Sequence, residues 1–243
     1  KPLYPPVESF YPSNPPIHIV CQKYNVSEEQ LLDTKNRTQI VFVDDSYSNI
    51  TEAFIDENRS GQIIDASEMI VEFNSVHNKF PVSFKMLNCF WMDKNDIYTT
   101  SDFKSWSKGI EWSGGTKAGT RLNIILKDYF NEWNQDPNVR PVNIIYMGDG
   151  AIEDMNQYIA CVVHAAEESS RRGKPRQITF QMFQVGNDPS ATKSFEFMDN
   201  ELKKRYNMKS DVVDCVYGDK PLKEKIIKAM IGAGVEYIDN KYN

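Results

Sequence analysis

No stretch of this chain approaches the roughly 18 apolar residues that a membrane-crossing helix requires, so insertion into a bilayer is not expected. There is no G-x-x-x-x-G-K-S/T and no G-x-G-x-x-G, which removes the common phosphate-cradling loops. Four cysteines (Cys21, Cys89, Cys161, Cys215) lie far apart with no C-x-x-C pair, which argues against a zinc site or a disulfide scaffold. Cys89, Cys161 and Cys215 fall in apolar segments, where a free thiol behaves as a small core side chain. Histidine is scarcer still. His18 lies in a proline-rich edge, His77 at a helix end and His164 on a helix, and no G-x-S-x-G accompanies them. A hydrolase triad therefore lacks its parts, and the chain is not expected to be an enzyme. Basic residues are no denser: the net charge is −6, and the one basic run is Arg171-Arg172-Gly173-Lys174-Pro175-Arg176. Cations there suit the end of a helix, so no nucleic-acid partner is expected.

With 243 residues, 40% of them hydrophobic, the chain is long enough to bury a core without covalent staples. Half of its prolines stand in residues 1–16, which reads as an extended leader, with Tyr4, Phe10 and Tyr11 as anchors to the domain. The organisation expected is a proline-rich extension over 1–20 and one domain over 21–243. Within that domain, apolar runs alternate with helical spacing. Gln39–Asp44, Val82–Cys89, Val142–Met147, Gln177–Val185 and Asp211–Tyr217 read as strands. Helices are expected over 49–78 with an interruption near Asn58–Gly61, over 116–133, over 153–172, through Phe195–Leu202 and from Pro221. Such alternation predicts a three-layer α/β/α sandwich around a doubly wound, mostly parallel, Rossmann-like sheet. Ligands gather outside the carboxyl ends of such strands.

Three polar loops fall at or beside those ends: Asp44-Asp45-Ser46-Tyr47-Ser48, Ser113-Gly114-Gly115-Thr116 and Gly148-Asp149-Gly150. Asp44, Ser46, Ser48, Thr116 and Asp149 offer two carboxylates and three hydroxyls, the all-oxygen donor set that hard cations prefer. Alternation lets Asp44, Ser46 and Ser48 point one way while Asp45 and Tyr47 point elsewhere. Asp and Ser after a strand also cap helices and shape turns, so no single loop is diagnostic. The conjunction of all three carries the metal reading.

These residues resemble the metal-ion-dependent adhesion site of von Willebrand factor A-type (vWA) domains, whose D-x-S-x-S, Thr and Asp come in this order. IVFVDDSYS, SGGTKAGTRLNIIL, NIIYMGDGAIED and ITFQMFQVGNDPSATKSFEFMD are similar to segments of fungal-type intracellular vWA proteins, and the likeness runs over about residues 37–243. The resemblance implies a vWA-type fold and a bound Mg²⁺, Mn²⁺ or Ca²⁺. Ser46 and Ser48 would bind the ion directly, Thr116 directly or through water, and Asp44 and Asp149 mostly through water. An open position would then take a Glu or Asp carboxylate from a protein partner. On this reading Asp149→Ala should abolish metal binding and leave the core intact.

The sequence departs from the family at Tyr47, where a small residue is usual, at Asn49, where Met is common, and at Ala118, where Thr or Ser is frequent. Tyr47 would either narrow access to the metal or contact the partner. Trp106 and Trp112 flank the Gly114–Thr116 loop, and core packing is the reading preferred for both. Four N-x-S/T sequons start at Asn25, Asn36, Asn49 and Asn58. A glycan on Asn49 would crowd the metal loop, which favours an unglycosylated, cytoplasmic chain. A secreted adhesion or effector protein is the alternative. Another is a vWA-fold scaffold with no working metal site. A response-regulator receiver is excluded because Asp149 comes too late after the acid pair, and a haloacid-dehalogenase loop because Ser46 stands where its second Asp belongs.

Overall fold

A computed structural model describes residues 17–51, 58–217 and 222–231, apart from the side chains of Asp33 and Lys223. Residues 1–16, 52–57, 218–221 and 232–243 lie outside the described residues, and with them the expected proline-rich leader and its anchors Tyr4, Phe10 and Tyr11. Six strands, β1 (Thr38–Val43), β2 (Val82–Met86), β3 (Lys94–Ile97), β4 (Val142–Gly148), β5 (Ile178–Gln184) and β6 (Val213–Val216), form one sheet in the order β3-β2-β1-β4-β5-β6. β3 is antiparallel to β2 and every other pairing is parallel. The central strands β4 and β5 are buried along their whole length, as expected of mostly apolar strands covered on both faces.

The period-two alternation of side chains divides each strand between two cores. Ile40 and Phe42 of β1, with Ile144 and Tyr146 of β4, face α5 (Ala118–Gln135), α6 (Met155–Arg171) and α7 (Pro189–Asn200). Val41, Val43, Ile145 and Met147 face the opposite layer. That layer holds α1 (Ile17–Tyr24), α2 (Glu28–Lys35), α3 (Arg59–His77), α4 (Thr100–Ser107) and α9 (Leu222–Ile231). A one-turn helix, α8 (Leu202–Arg205), follows α7. The expected α/β/α sandwich is thus present. Helix α1 runs through position 20, with Val20 and Tyr24 buried, so the domain's packing begins before residue 21.

Departures from the expected elements have local causes. β2 stops at Met86 because the Asp45 carboxylate takes the backbone N–H groups of Asn88 (2.7 Å) and Cys89 (2.8 Å), which draws the chain out of the sheet. The helix expected from Asn49 is a 3₁₀ turn over Tyr47–Ile50, Thr51 is extended, and α3 begins at Arg59. β3 and α4 were not expected. α4 starts on a reciprocal cap in which Thr99 Oγ1 accepts from Asp102 N and the Asp102 carboxylate accepts from Thr99 N. Trp133 is core, while Trp106 is half-buried against Phe84 and donates Nε1–H to the Met92 carbonyl. Trp112 is half-buried too. In the basic run, Arg171 and Arg172 both pair with Glu168, and the Arg172 guanidinium lies 4.5 Å from the centre of the Trp133 ring.

His77, near the end of α3, is buried, with Nδ1 2.7 Å from the Phe73 carbonyl oxygen. Burial pushes its pKa down to about 4. The unfolded chain takes up this proton below about pH 6.5 while the folded chain stays neutral, so stability falls as the pH drops from about 6.5 through 4. The gap in unfolding free energy between wild type and His77→Gln should narrow by about 3 kcal/mol from pH 7 to pH 4. Urea melts at the two pH values check this, and a gap independent of pH would contradict it.

Candidate functional site

In a sheet ordered this way the crossovers leave β1 and β4 in opposite directions, which opens a crevice beyond their carboxyl ends. Asp44 directly follows β1 and Asp149 directly follows β4. The two strands are neighbours in parallel register, with Val43 beside Met147, so the two carboxylates share the mouth of the crevice. Backbone bonds tie the third loop in. Ser113 N donates to the Asp45 carbonyl (2.8 Å), Tyr47 N to the Gly114 carbonyl (3.2 Å) and Glu153 N to the Thr116 carbonyl (2.9 Å). Thr116 N in turn donates to Glu153 Oε1 at 2.7 Å. The structure therefore brings all three sequence-predicted loops together. Asp44, Ser46, Thr116 and Asp149 are buried, and Ser48 is half-buried.

The first loop is held by its own side chains. Asp44 Oδ1 accepts from Ser46 N (3.1 Å) and Oδ2 accepts from the buried Tyr146 hydroxyl (2.8 Å). Ser46 Oγ and Ser48 Oγ are 3.0 Å apart, which fits two hydroxyls aimed to one side. Asn49 donates Nδ2–H to the Asp44 carbonyl (2.9 Å) and to Ser46 Oγ (3.2 Å). Asn49 is 2% exposed, so the folded loop has no room for a glycan on it. Asp45 and Tyr47 point away as alternation requires: Asp45 binds the 88–89 turn and Tyr47 is exposed. Gly148 permits the close approach of the two strands' ends, because a Cβ there would stand 2.5 Å from both Cβ and Oδ2 of Asp44.

Of the two carboxylates, Asp44 is the one short of positive charge. Asp44 is pushed up to about 6, first by burial and further by the neighbouring Asp149, although hydrogen bonds from Ser46 and Tyr146 oppose this. Asp149 Oδ1 accepts from Ala151 N (3.0 Å), and Oδ2 accepts from Arg59 Nη1 (3.1 Å) in a buried ion pair. Asp154 supplies the cap that Lys117 does not give α5: its carboxylate accepts from Gly119 N and Thr120 N, both at 2.8 Å. Sequence reasoning missed Arg59, Tyr146, Glu153 and Asp154 as parts of the site.

The donors suit a hard divalent cation: all are oxygens, and the two carboxylates repel each other. Asn49 Oδ1 is buried and accepts no hydrogen bond among the described residues, a place where a water of hydration would find an acceptor. Among the described residues no group of three or more His, Cys, Asp or Glu could hold a metal, here or elsewhere, so this donor set leans on hydroxyls beside its two carboxylates.

Sheet order, antiparallel edge strand and helices on both faces make this a vWA-like α/β fold. Among solved structures, the chain is similar to the manganese-loaded TRAP protein of Plasmodium vivax, at 13% identity and a TM-score of 0.50, over 82% of this chain and 74% of that one. It is also similar to the SpRpn10 VWA domain, at 14% identity and a TM-score of 0.46, over 82% of this chain and 98% of that one. At 13% identity, the likeness to the TRAP protein is one of fold. No family model matches the chain, and no curated protein matches it in sequence.

Proposed function

We propose that the three loops form a divalent-cation site through which the chain binds a protein partner carrying an accessible Glu or Asp. The observation that carries this reading is that the loops bearing Asp44, Ser46, Ser48, Thr116 and Asp149 meet at the crevice between β1 and β4, with the Ser46 and Ser48 hydroxyls 3.0 Å apart. Ser46 and Ser48 would bind the ion directly, and Thr116 directly or through water. Asp44 and Asp149 would act mostly through water. A cation with few direct anionic ligands keeps its attraction for an outside carboxylate. The manganese carried by the structurally similar TRAP protein supports a divalent ion of this kind.

Exposed rings stand beside the site. Tyr47 is 58% exposed, and Phe90 and Trp91, in the turn held by Asp45, are 63% and 65% exposed. Large amphipathic rings around a charged centre suit a protein interface. A second reading is a scaffold in which the metal loops are silent, and it draws on Arg59, which already supplies Asp149 with a positive charge.

Titration separates the two readings. Calorimetry of chelator-stripped protein should show saturable binding of Mn²⁺ or Mg²⁺. At a hundredfold excess over Kd the ion should raise the melting temperature by roughly 5–10 °C. Ser48→Ala removes a hydroxyl whose partner is Ser46 Oγ, so it should weaken the ion at least tenfold while barely moving the metal-free melt. Wild-type protein that binds neither ion would leave only the scaffold.

A further inference from the structure

We propose that Arg59 is a built-in competitor for the divalent cation, which sets how tightly the site holds metal; this rests on the metal reading above. Arg59 is the first residue of α3, where the helix's own partial positive charge disfavours a cation. It is 3% exposed, so its guanidinium has also given up most of its hydration. At the metal loops its charge is paired: Nη1 donates to Asp149 Oδ2, and the two side chains are 4% and 2% exposed. Its charge also reaches Asp188, whose carboxyl is held below its ordinary range chiefly by hydrogen bonds from Ser190.

The other Asp149 oxygen is already taken by Ala151 N. A dication that draws on Asp149 therefore arrives beside a fixed guanidinium and must either displace it or suffer its repulsion. Arg59 and the metal thus exchange for one carboxylate. The metal-free protein keeps its buried Asp149 neutralised, and loading moves Arg59 and the first turn of α3. A purely structural ion pair would brace α3 against the end of β4 and leave metal affinity unchanged when removed.

The test is Mn²⁺ affinity by calorimetry for wild type, Arg59→Gln and Arg59→Lys. Competition predicts at least tenfold tighter binding in Arg59→Gln, and a smaller gain in Arg59→Lys, whose charge remains on a shorter side chain. Equal or weaker binding in Arg59→Gln overturns the competition and leaves the metal site standing. No Mn²⁺ bound by any of the three proteins overturns both. Should Arg59→Gln fail to fold, wild-type protein decides: titrated with Mg²⁺, the Arg59 side-chain Nε–H resonance should shift saturably, with the same midpoint as calorimetry. A resonance that stays in place at saturating Mg²⁺ refutes the exchange.

Discussion

Asp149→Ala should lower the unfolding free energy by about 3–5 kcal/mol, the usual cost of removing one partner from a buried ion pair. The sequence alone makes this substitution a clean test of metal binding. The structure makes it a stability mutant, because the carboxylate also holds the buried Arg59 guanidinium at 3.1 Å and the Ala151 N–H at 3.0 Å. Chemical denaturation in the presence of a chelator measures the loss apart from any metal. Asp149→Asn, which retains an oxygen for Ala151 N, should lose less. A loss under 1 kcal/mol would mean that the ion pair does not brace α3 against the end of β4.

Gly119→Ala should also destabilise the chain, by about 3 kcal/mol, although helix propensity alone favours alanine by about 1 kcal/mol. Gly119 sits in the first turn of α5, and a Cβ there would meet Tyr158 N at 2.5 Å, the Asp154 carbonyl oxygen at 2.8 Å and the Gln157 carbonyl carbon at 2.9 Å. All three are backbone atoms of α6 or of its N-terminal approach, so no rotamer change relieves the contact. The helices must part, and with them goes the Asp154 carboxylate that caps α5. Urea unfolding distinguishes the two effects by sign: a midpoint raised by the substitution would mean that α5 and α6 do not cross so closely.

Much of this fold is legible in the sequence, and the parts that are not share a physical reason. β1, β4 and β5 are covered on both faces, so they read as largely apolar runs, with Gln39, Asn143, Thr179, Gln181 and Gln184 as buried polar exceptions. β3 lies at the edge and carries Lys94, Asn95 and Asp96, three polar residues with no alternation to detect. α4 did leave a sign, the Thr99–Asp102 spacing of a capping box.

The candidate ligands were equally visible, because a cation needs oxygen donors in loops and those loops follow strands. Their supports were not. Arg59 reaches Asp149 across 90 residues of sequence, and Tyr146 looks like any core residue of β4 until its hydroxyl is seen on Asp44. Only the oddity of a cation in the first turn of a helix could have pointed to Arg59. Asn49, read first as a departure from the family and a possible glycan site, is a buried brace of the first loop.

The pairing of β1 with β4 also bears on how the chain acquires its site. Asp44 and Tyr146 stand 102 residues apart in sequence, and parallel strands of that separation pair only after a large loop has been closed, one of the slower events in folding. The two carboxylates stay strangers until the central strands zip together. A divalent ion therefore cannot act as a nucleus for this chain, and a fragment ending before β4 has no site to fill. On the proposed metal reading, ion capture would mark completed folding, acquired late and lost as soon as β1 and β4 separate.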